Sequence, residues 1–236
     1  MALTVADWQT LLLTLKIASL ATLYALLLGV ALAWVFARFR FIGRDMLDAM
    51  LTLPMVLPPT VLGYYLLVVF GRRGALGQWL YETFGIQLVF TWKGAVIAAT
   101  VVAFPLVFKS ARAAFEDVEK SMEQAARLLG SREFGVFFRV SLPLAMRGIV
   151  AGMLLAFARA MGEFGATLMV AGNLPGRTQT LSMAVYDAVL DTFNSLGRGK
   201  RRDPDAVAEA IRRAVRAAVN ERWRKKPMCY VHVLEV

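Results

Sequence analysis

Two clusters in this chain have residue types and spacings that could do mechanical or chemical work. The first is residues 123–143, EQAARLLGSREFGVFFRVSLP, a long polar interval among apolar segments. Ala125 and Ala126 are small residues on a helical stretch, and they would let its backbone approach a partner closely, as a helix laid in a groove. Gly130 is a natural left-handed helix end. Ser131 is placed to cap a second short helix, with Glu133 in its first turn where the dipole favours an acid. After nine more residues comes Val140-Ser141-Leu142-Pro143, and Pro143 suits the first turn of another helix. Two short helices at an angle would make a protruding knob whose chemistry is docking. Read from the triplet alone, an ordinary amphipathic loop would look the same.

The second cluster is Arg159-Ala160-Met161-Gly162-Glu163-Phe164-Gly165-Ala166-Thr167, set inside an apolar run. Arg159 and Glu163 are four apart, neighbours on one helix face. A charge at membrane depth costs at least ~2.5 kcal/mol, so such residues pair or face a wet interior. Gly162 and Gly165 either bring helix backbones close or loosen the helix at a gate. An anion would not choose Glu163 as a direct ligand. The pair reads as a positioned dipole or gate latch, or as a self-neutralising pair that fixes packing.

The elements that must position these clusters are membrane spans. The chain has 236 residues, 58% of them hydrophobic, with a net charge of +10 and a mean hydropathy of +0.56. So much apolar residue with so few charges implies membrane insertion. One cysteine, Cys229, excludes an intramolecular disulfide framework and a multi-cysteine metal site. His232 alone makes no ligand set. The first apolar stretch is too long for a cleavable signal and lacks a basic leader. No G-x-x-x-x-G-K-[ST] loop is present, so ATP hydrolysis by that route is excluded.

Residues 17–37 are 21 positions without a charge, long enough to span a bilayer core. Trp8, Lys16 and Trp34 flank them as interfacial anchors, and Arg38, Arg40 and Arg44 mark the following side as cytoplasmic, with the N-terminus outside. A second uncharged run covers 49–70 and contains Pro54, Pro58 and Pro59. Such breaks are tolerated where neighbouring helices or a water-filled cavity satisfy the freed carbonyls. Residues 71–90 form a mixed outer loop, whose Arg72 and Arg73 mildly oppose the charge rule. A short third span follows at about 92–108, with Lys93 and Lys109 snorkelling at its ends. Lys109, Arg112, Lys120, Arg127, Arg132, Arg139 and Arg147 then make 109–147 the strongest inside signal. A fourth span covers about 144–172, and Asn173-Leu174-Pro175-Gly176 turns it outside.

The spacing in 123–143 resembles the cytoplasmic EAA loop of ABC importer permeases: an EAA-like triplet, three residues, Gly, nine residues and I-x-L-P. Here the triplet position reads Gln124-Ala125-Ala126, with the acid one place earlier at Glu123, while Gly130 and Leu142-Pro143 keep the family spacing. Residues 1–191 as a whole resemble the molybdate ABC transporter permease family. Leu53-Pro54-Met55-Val56-Leu57-Pro58-Pro59 with Gly63-Tyr64, Gly71-Arg72-Arg73-Gly74, Phe104-Pro105, the 123–130 loop, the 158–167 run and Asn173-Leu174-Pro175-Gly176 carry the likeness. Sulfate permeases share the docking loop and the Gly-Glu-Phe-Gly pattern, and tungstate is a close companion.

The resemblance implies a permease domain at 9–191 in a bacterial inner membrane, not itself an enzyme and binding no cofactor. ATP would be used by a separate ATPase subunit. The other implied partners are a second permease copy, an extracytoplasmic oxyanion-binding protein and the lipid bilayer, with no nucleic acid expected. Glu123, Gln124, Ala125, Ala126, Gly130, Leu142 and Pro143 would couple to the ATPase. Pro54, Pro58, Pro59, Gly63, Arg159, Gly162, Glu163, Phe164, Gly165 and Thr167 are the pathway or gate candidates. No metal ligands and no anion-contacting residues are assigned.

The family would have at least one further span after the outer turn. Residues 181–190 begin one, but Asp187 and Asp191 interrupt it and no run of ~20 apolar residues remains. From Phe193 onward eleven basic residues face five acidic ones, contributing +6 of the net charge. Asp203-Pro204 opens an amphipathic helix with Val207, Ala208, Ile211, Val215 and Val219 on one face. Lys225-Lys226-Pro227 stops it, and 228–236 alternates like a strand. This tail resembles the end of bacterial ribonuclease J proteins without their metal-binding histidines. Residues 192–236 therefore read as a fusion or junction, or else as a basic helix lying on anionic lipid. The fold class expected is an all-α polytopic membrane protein, with four clear transmembrane helices, a cytoplasmic coupling loop and a short soluble α/β tail. Competing functions are a sulfate or tungstate permease, a truncated non-transporting hybrid, and a membrane-anchored RNA-binding module.

Overall fold

The computed structural model describes residues 5–197, 203–223 and 231. Its helices are α1 (Val5–Arg38), α2 (Arg44–Val56), α3 (Pro59–Phe70), α4 (Ala75–Phe84), α5 (Trp92–Glu116), α6 (Lys120–Leu128), α7 (Glu133–Val136), α8 (Leu142–Met161), α9 (Gly165–Ala171), α10 (Leu181–Ser195) and α11 (Pro204–Trp223). Among the described residues three stretches are long and apolar enough to cross a membrane: Trp8–Arg38, Trp92–Glu116 and Glu133–Met161. The pair α2 and α3 makes a fourth only as a bent span, its halves at 114°. The all-α, polytopic class read from hydropathy holds, and three of the four expected spans change shape.

The run 49–70 is broken because Pro58 and Pro59 remove two donors and push the residue before them out of the helical region. Leu57 is extended at φ −68°, ψ 139°, and Pro59 opens α3. The third span is not short: α5 continues through Lys109 and Arg112 to Glu116, because these charges are paired rather than left at the end of an apolar run. The fourth span stops at Met161 and restarts as α9 at Gly165. The outer interval 71–90 contains α4, and Arg72 lies over the Tyr81 ring at 5.0 Å.

Leu15–Gly172 forms one compact unit. Its main seam joins α5 to α8 through small residues: a Cβ added at Gly148 would lie 2.6 Å from Ala114 Cβ, and one at Gly152 2.7 Å from Ser110 Cβ. In Gly148-Ile149-Val150-Ala151-Gly152 the glycines are four apart, the spacing that lets apolar helices touch backbone to backbone. Ala33, Phe36, Phe108, Ala111, Phe115, Ala145 and Ile149 fill the core beside it. A second cluster of Leu62, Ala98, Val102, Ala166 and Val170 joins α3, α5 and α9.

The other unit groups Met1–Thr14 with Asn173–Val236. In it α10 packs against α11, and Asp187 accepts hydrogen bonds from Asn173 Nδ2 and Gln179 Nε2, each at 2.8 Å. Asp203 Oδ1 accepts from Asp205 N–H at 3.1 Å, so the expected start of the tail helix is present. Of the strand expected at 228–236 only Val231 is described, in no regular element; Cys229, His232 and the stop at 225–227 lie outside the described residues.

Substituting Gly152→Val forces apart a seam that has no room for a Cβ and is expected to cost about 1–3 kcal/mol. Melting of the detergent-solubilised chain measures it. Gly162→Ala, whose added Cβ would meet nothing nearer than 3.8 Å, is expected to melt with the parent.

Candidate functional site

The loop between α5 and α8 is built around a buried acid. Glu123 lies in the first turn of α6 and is only 2% exposed. Ser141 Oγ donates to its Oε1 at 2.6 Å, and its Oε2 pairs with the guanidinium of Arg38, the last residue of α1. Glu123 therefore faces inward and clasps α6 to the end of α1 and the start of α8. The fork of Arg38 supplies the charge that a carboxylate out of water requires.

The turn that follows is a full Schellman motif. Gly130 sits at φ +84°; Ser131 N–H donates to Ala126 O at 3.0 Å and Gly130 N–H to Arg127 O at 2.9 Å. Across the turn Arg127 grips Glu133 with both ends of its fork, at 2.6 and 3.1 Å. That hydrogen-bonded carboxylate raises the Arg127 pKa above its ordinary value. Ser131 is not the cap of the next helix: Arg132 occupies that position, with no side-chain hydrogen bond. Pro143 lies in the first turn of a further helix, α8, as expected, and the path from α7 enters α8 directly through a π turn at Phe137–Ser141. Widening the helix there accommodates a proline that has no N–H to give. Leu142 packs on the core while Pro143 is exposed.

With Glu123 turned in, the outer side of the loop carries large exposed apolar side chains beside the charges of Arg132 and Glu133. Gln124 and Ala125 are exposed and Ala126 is half-buried. Leu128, Leu129 and Phe134 are 89%, 87% and 82% exposed. Beneath them the Phe137 ring packs against Trp34 and Phe115, with ring centroids at 5.2 and 6.0 Å.

The gate candidates gather around two helix breaks. Arg159 Nη1 reaches Glu163 Oε2 at 2.6 Å, so the expected pair forms. It does not lie on one helix: α8 ends between the two residues, and the pair spans the break. The other oxygen, Oε1, accepts the Ala166 N–H at 2.8 Å and satisfies a free donor of the first turn of α9. Gly165 packs on the other break, its added Cβ 3.0 Å from Pro59 Cβ, and Gly63 would meet Ala166 Cα at 2.9 Å. Gly162 makes no such approach and is simply the helix end. Phe164 precedes α9, Thr167 is fully buried with a hydroxyl lacking a hydrogen-bond partner among the described residues, and Pro54 lies inside α2.

Arg38 and Ser141 were not among the expected site residues, although Arg38 stood out as a marker of sidedness. The same holds for an ion-pair lattice between α2 and α5. Asp48 receives Lys109 at 2.6 Å and Arg112 at 2.5 Å, and Glu116 receives Arg112 and Arg44, each at 2.9 Å. The one signal available for it was Asp48 itself, an acid at the edge of an apolar run.

Glu123→Leu leaves the half-buried Arg38 without its counter-charge, a change of about 1–3 kcal/mol. Trypsin cleavage at Arg127 and Arg132 is expected to accelerate sharply in that variant and to slow again in Glu123→Leu with Arg38→Met. Equal rates in the single and double variants would show that the clasp does not hold the loop.

Residues 25–191 match the family described as "Binding-protein-dependent transport system inner membrane component". The chain is 50% identical over 189 residues to the molybdenum transport system permease protein ModB of Escherichia coli (strain K12), covering 80% of this chain and 82% of that protein. It is 45% identical over 177 residues to the ModB protein of Haemophilus influenzae, covering 75% and 77%. A probable sulfate transport system permease protein of Chlorella vulgaris is 38% identical over 186 residues, covering 79% and 69%. On the extent of these matches and its several apolar spans, the chain belongs to the inner-membrane components of binding-protein-dependent transport systems.

Proposed function

We propose that this chain is the membrane-spanning permease subunit of an ATP-driven importer that moves molybdate across the bacterial inner membrane. Residues 123–143 couple it to a separate ATPase. One observation carries the coupling role: Leu128, Leu129 and Phe134 stand in solvent on a loop whose frame is tied down by the pairing of buried Glu123 with Arg38. Apolar surface on a rigid support, beside the exposed Ala125, is what a groove on a protein partner takes up. Force applied to α6 passes through Glu123 to Arg38 on α1 and Ser141 on α8. From α8 it reaches the break at 162–164, where α9 packs on the bent α2–α3 pair.

The remaining assembly is a second copy of the permease, two ATPase subunits that use the ATP, and an extracytoplasmic oxyanion-binding protein. The chain itself catalyses no reaction and binds no cofactor. The 109–147 interval faces the cytosol and the N-terminus lies outside, as the basic residues there direct. Molybdate as the substrate rests on what the Escherichia and Haemophilus relatives carry in their names. Sulfate is the second reading, favoured by the Chlorella relative. Residues 192–236 are a basic segment joined to the permease domain of 9–191. Without an apolar run of span length there, a non-transporting hybrid is the other outcome the uptake test distinguishes.

Leu128→Glu with Phe134→Glu alters only exposed side chains and is expected to leave melting unchanged. It is expected to abolish co-purification with the ATPase subunit and uptake of labelled molybdate in permease-deficient cells. Retained ATPase binding would remove the loop from the coupling path. A membrane-impermeant thiol reagent is expected not to reach Ser131→Cys from outside the cell; labelling there would reverse the orientation. Competition of uptake by sulfate but not by tungstate would move the substrate to the second reading.

A further inference from the structure

A polar cavity of about 420 Å³ opens at the foot of the 120–141 loop, between the ends of α1, α5 and α6. Its wall holds four cations, Arg38, Arg40, Arg44 and Lys120, against two carboxylates, Glu116 and Glu123. The carboxylates are already engaged, Glu123 by Arg38 and Ser141 and Glu116 by Arg44 and Arg112. Arg40 and Lys120 have no carboxylate partner among the described residues, which leaves the cavity with a surplus of positive charge. Two further donors belong to residues of its wall. Trp34 Nε1–H and Arg44 Nε–H are buried without a hydrogen-bond partner among the described residues. A buried donor left without an acceptor costs free energy unless a water or an ion meets it.

We propose that this cavity binds a tetrahedral oxyanion group of the phosphate type, carried on an anionic phospholipid headgroup or free in solution. Three guanidinium groups present forked N–H pairs suited to such oxygens, and the ammonium of Lys120 adds a mobile point charge. A basic pocket beside the end of a span also lies where headgroups reside. The site is separate from the 162–167 break and does not depend on which anion is transported. It does share cations with the clasp: an anion seated here competes with Glu123 for Arg38 and with Glu116 for Arg44. Occupancy would therefore loosen the frame that holds the loop.

The test uses the full chain purified in a neutral detergent. Native mass spectrometry follows retention of dioleoyl phosphatidylglycerol against dioleoyl phosphatidylcholine, and equilibrium dialysis follows labelled orthophosphate and molybdate. Arg40→Gln with Lys120→Gln removes two unpaired cations and leaves the Arg38–Glu123 clasp in place. Arg132→Gln with Arg139→Gln removes the same charge from elsewhere on the loop. One equivalent of phosphatidylglycerol, or of free oxyanion, is expected per parent chain. Its affinity should fall about tenfold or more in the first double variant and stay unchanged in the second, as the loss of two charge-assisted contacts requires. Retention of the lipid alone identifies a headgroup, and binding of the small anion alone identifies a soluble ligand; both support the site. No bound equivalent of either, or equal weakening by the two double variants, would overturn it.

Discussion

A carboxylate taken out of water must be met by charge and by hydrogen bonds, and at Glu123 both arrive from distant parts of the chain. Arg38 brings the end of α1 and Ser141 brings the start of α8. Because removing either partner strands the other in a poorly solvated place, the three elements behave as one joint. The loop is consequently tied down where it meets the membrane unit, and it presents Leu128, Leu129 and Phe134 to solvent. With Glu123 facing outward the loop would have lacked that anchor.

A second buried acid repeats the arrangement deeper in the chain. Glu163 divides its two oxygens between Arg159, in the last turn of α8, and the first-turn N–H of Ala166 in α9. A cation at a helix C-terminus and a carboxylate at a helix N-terminus are each favoured by the dipole they face. The break in the fourth span is therefore a stabilised joint with its polar ends satisfied. Opposite it stands the break made by Pro58 and Pro59. The two half-helices α3 and α9 touch through Gly63 and Gly165, where no larger side chain fits. Breaks of this kind persist at membrane depth only when buried against protein or a wet cavity.

The packing that supports both joints relies on small residues more than on bulky ones. Between α5 and α8 the contacts run through Gly148, Gly152, Ser110 and Ala114. Among apolar helices in lipid there is little hydrophobic gain from association, so close backbone approach and dispersion must supply the adhesion. Phe36 and Phe108 fill the core beside that seam, and at the loop end Trp34 and Phe115 pack against Phe137 of the π turn.

Local patterns along the chain settled the class, the sites of the apolar spans, the left-handed turn at Gly130, the proline break at 57–59 and the pairing of Arg159 with Glu163. Each of these follows from hydropathy over a window, or from the backbone limits of one glycine or proline, so neighbours in sequence suffice. Folding in three dimensions decided the rest. Glu123 points inward because Arg38 comes to meet it; α5 runs on to Glu116 because Asp48 of α2 neutralises its cations; the fourth span breaks where Gly165 can rest on Pro59. The partners in these contacts are far apart along the chain, and no window of residues contains both. A buried charge is stable only beside a counter-charge whose position the completed fold provides.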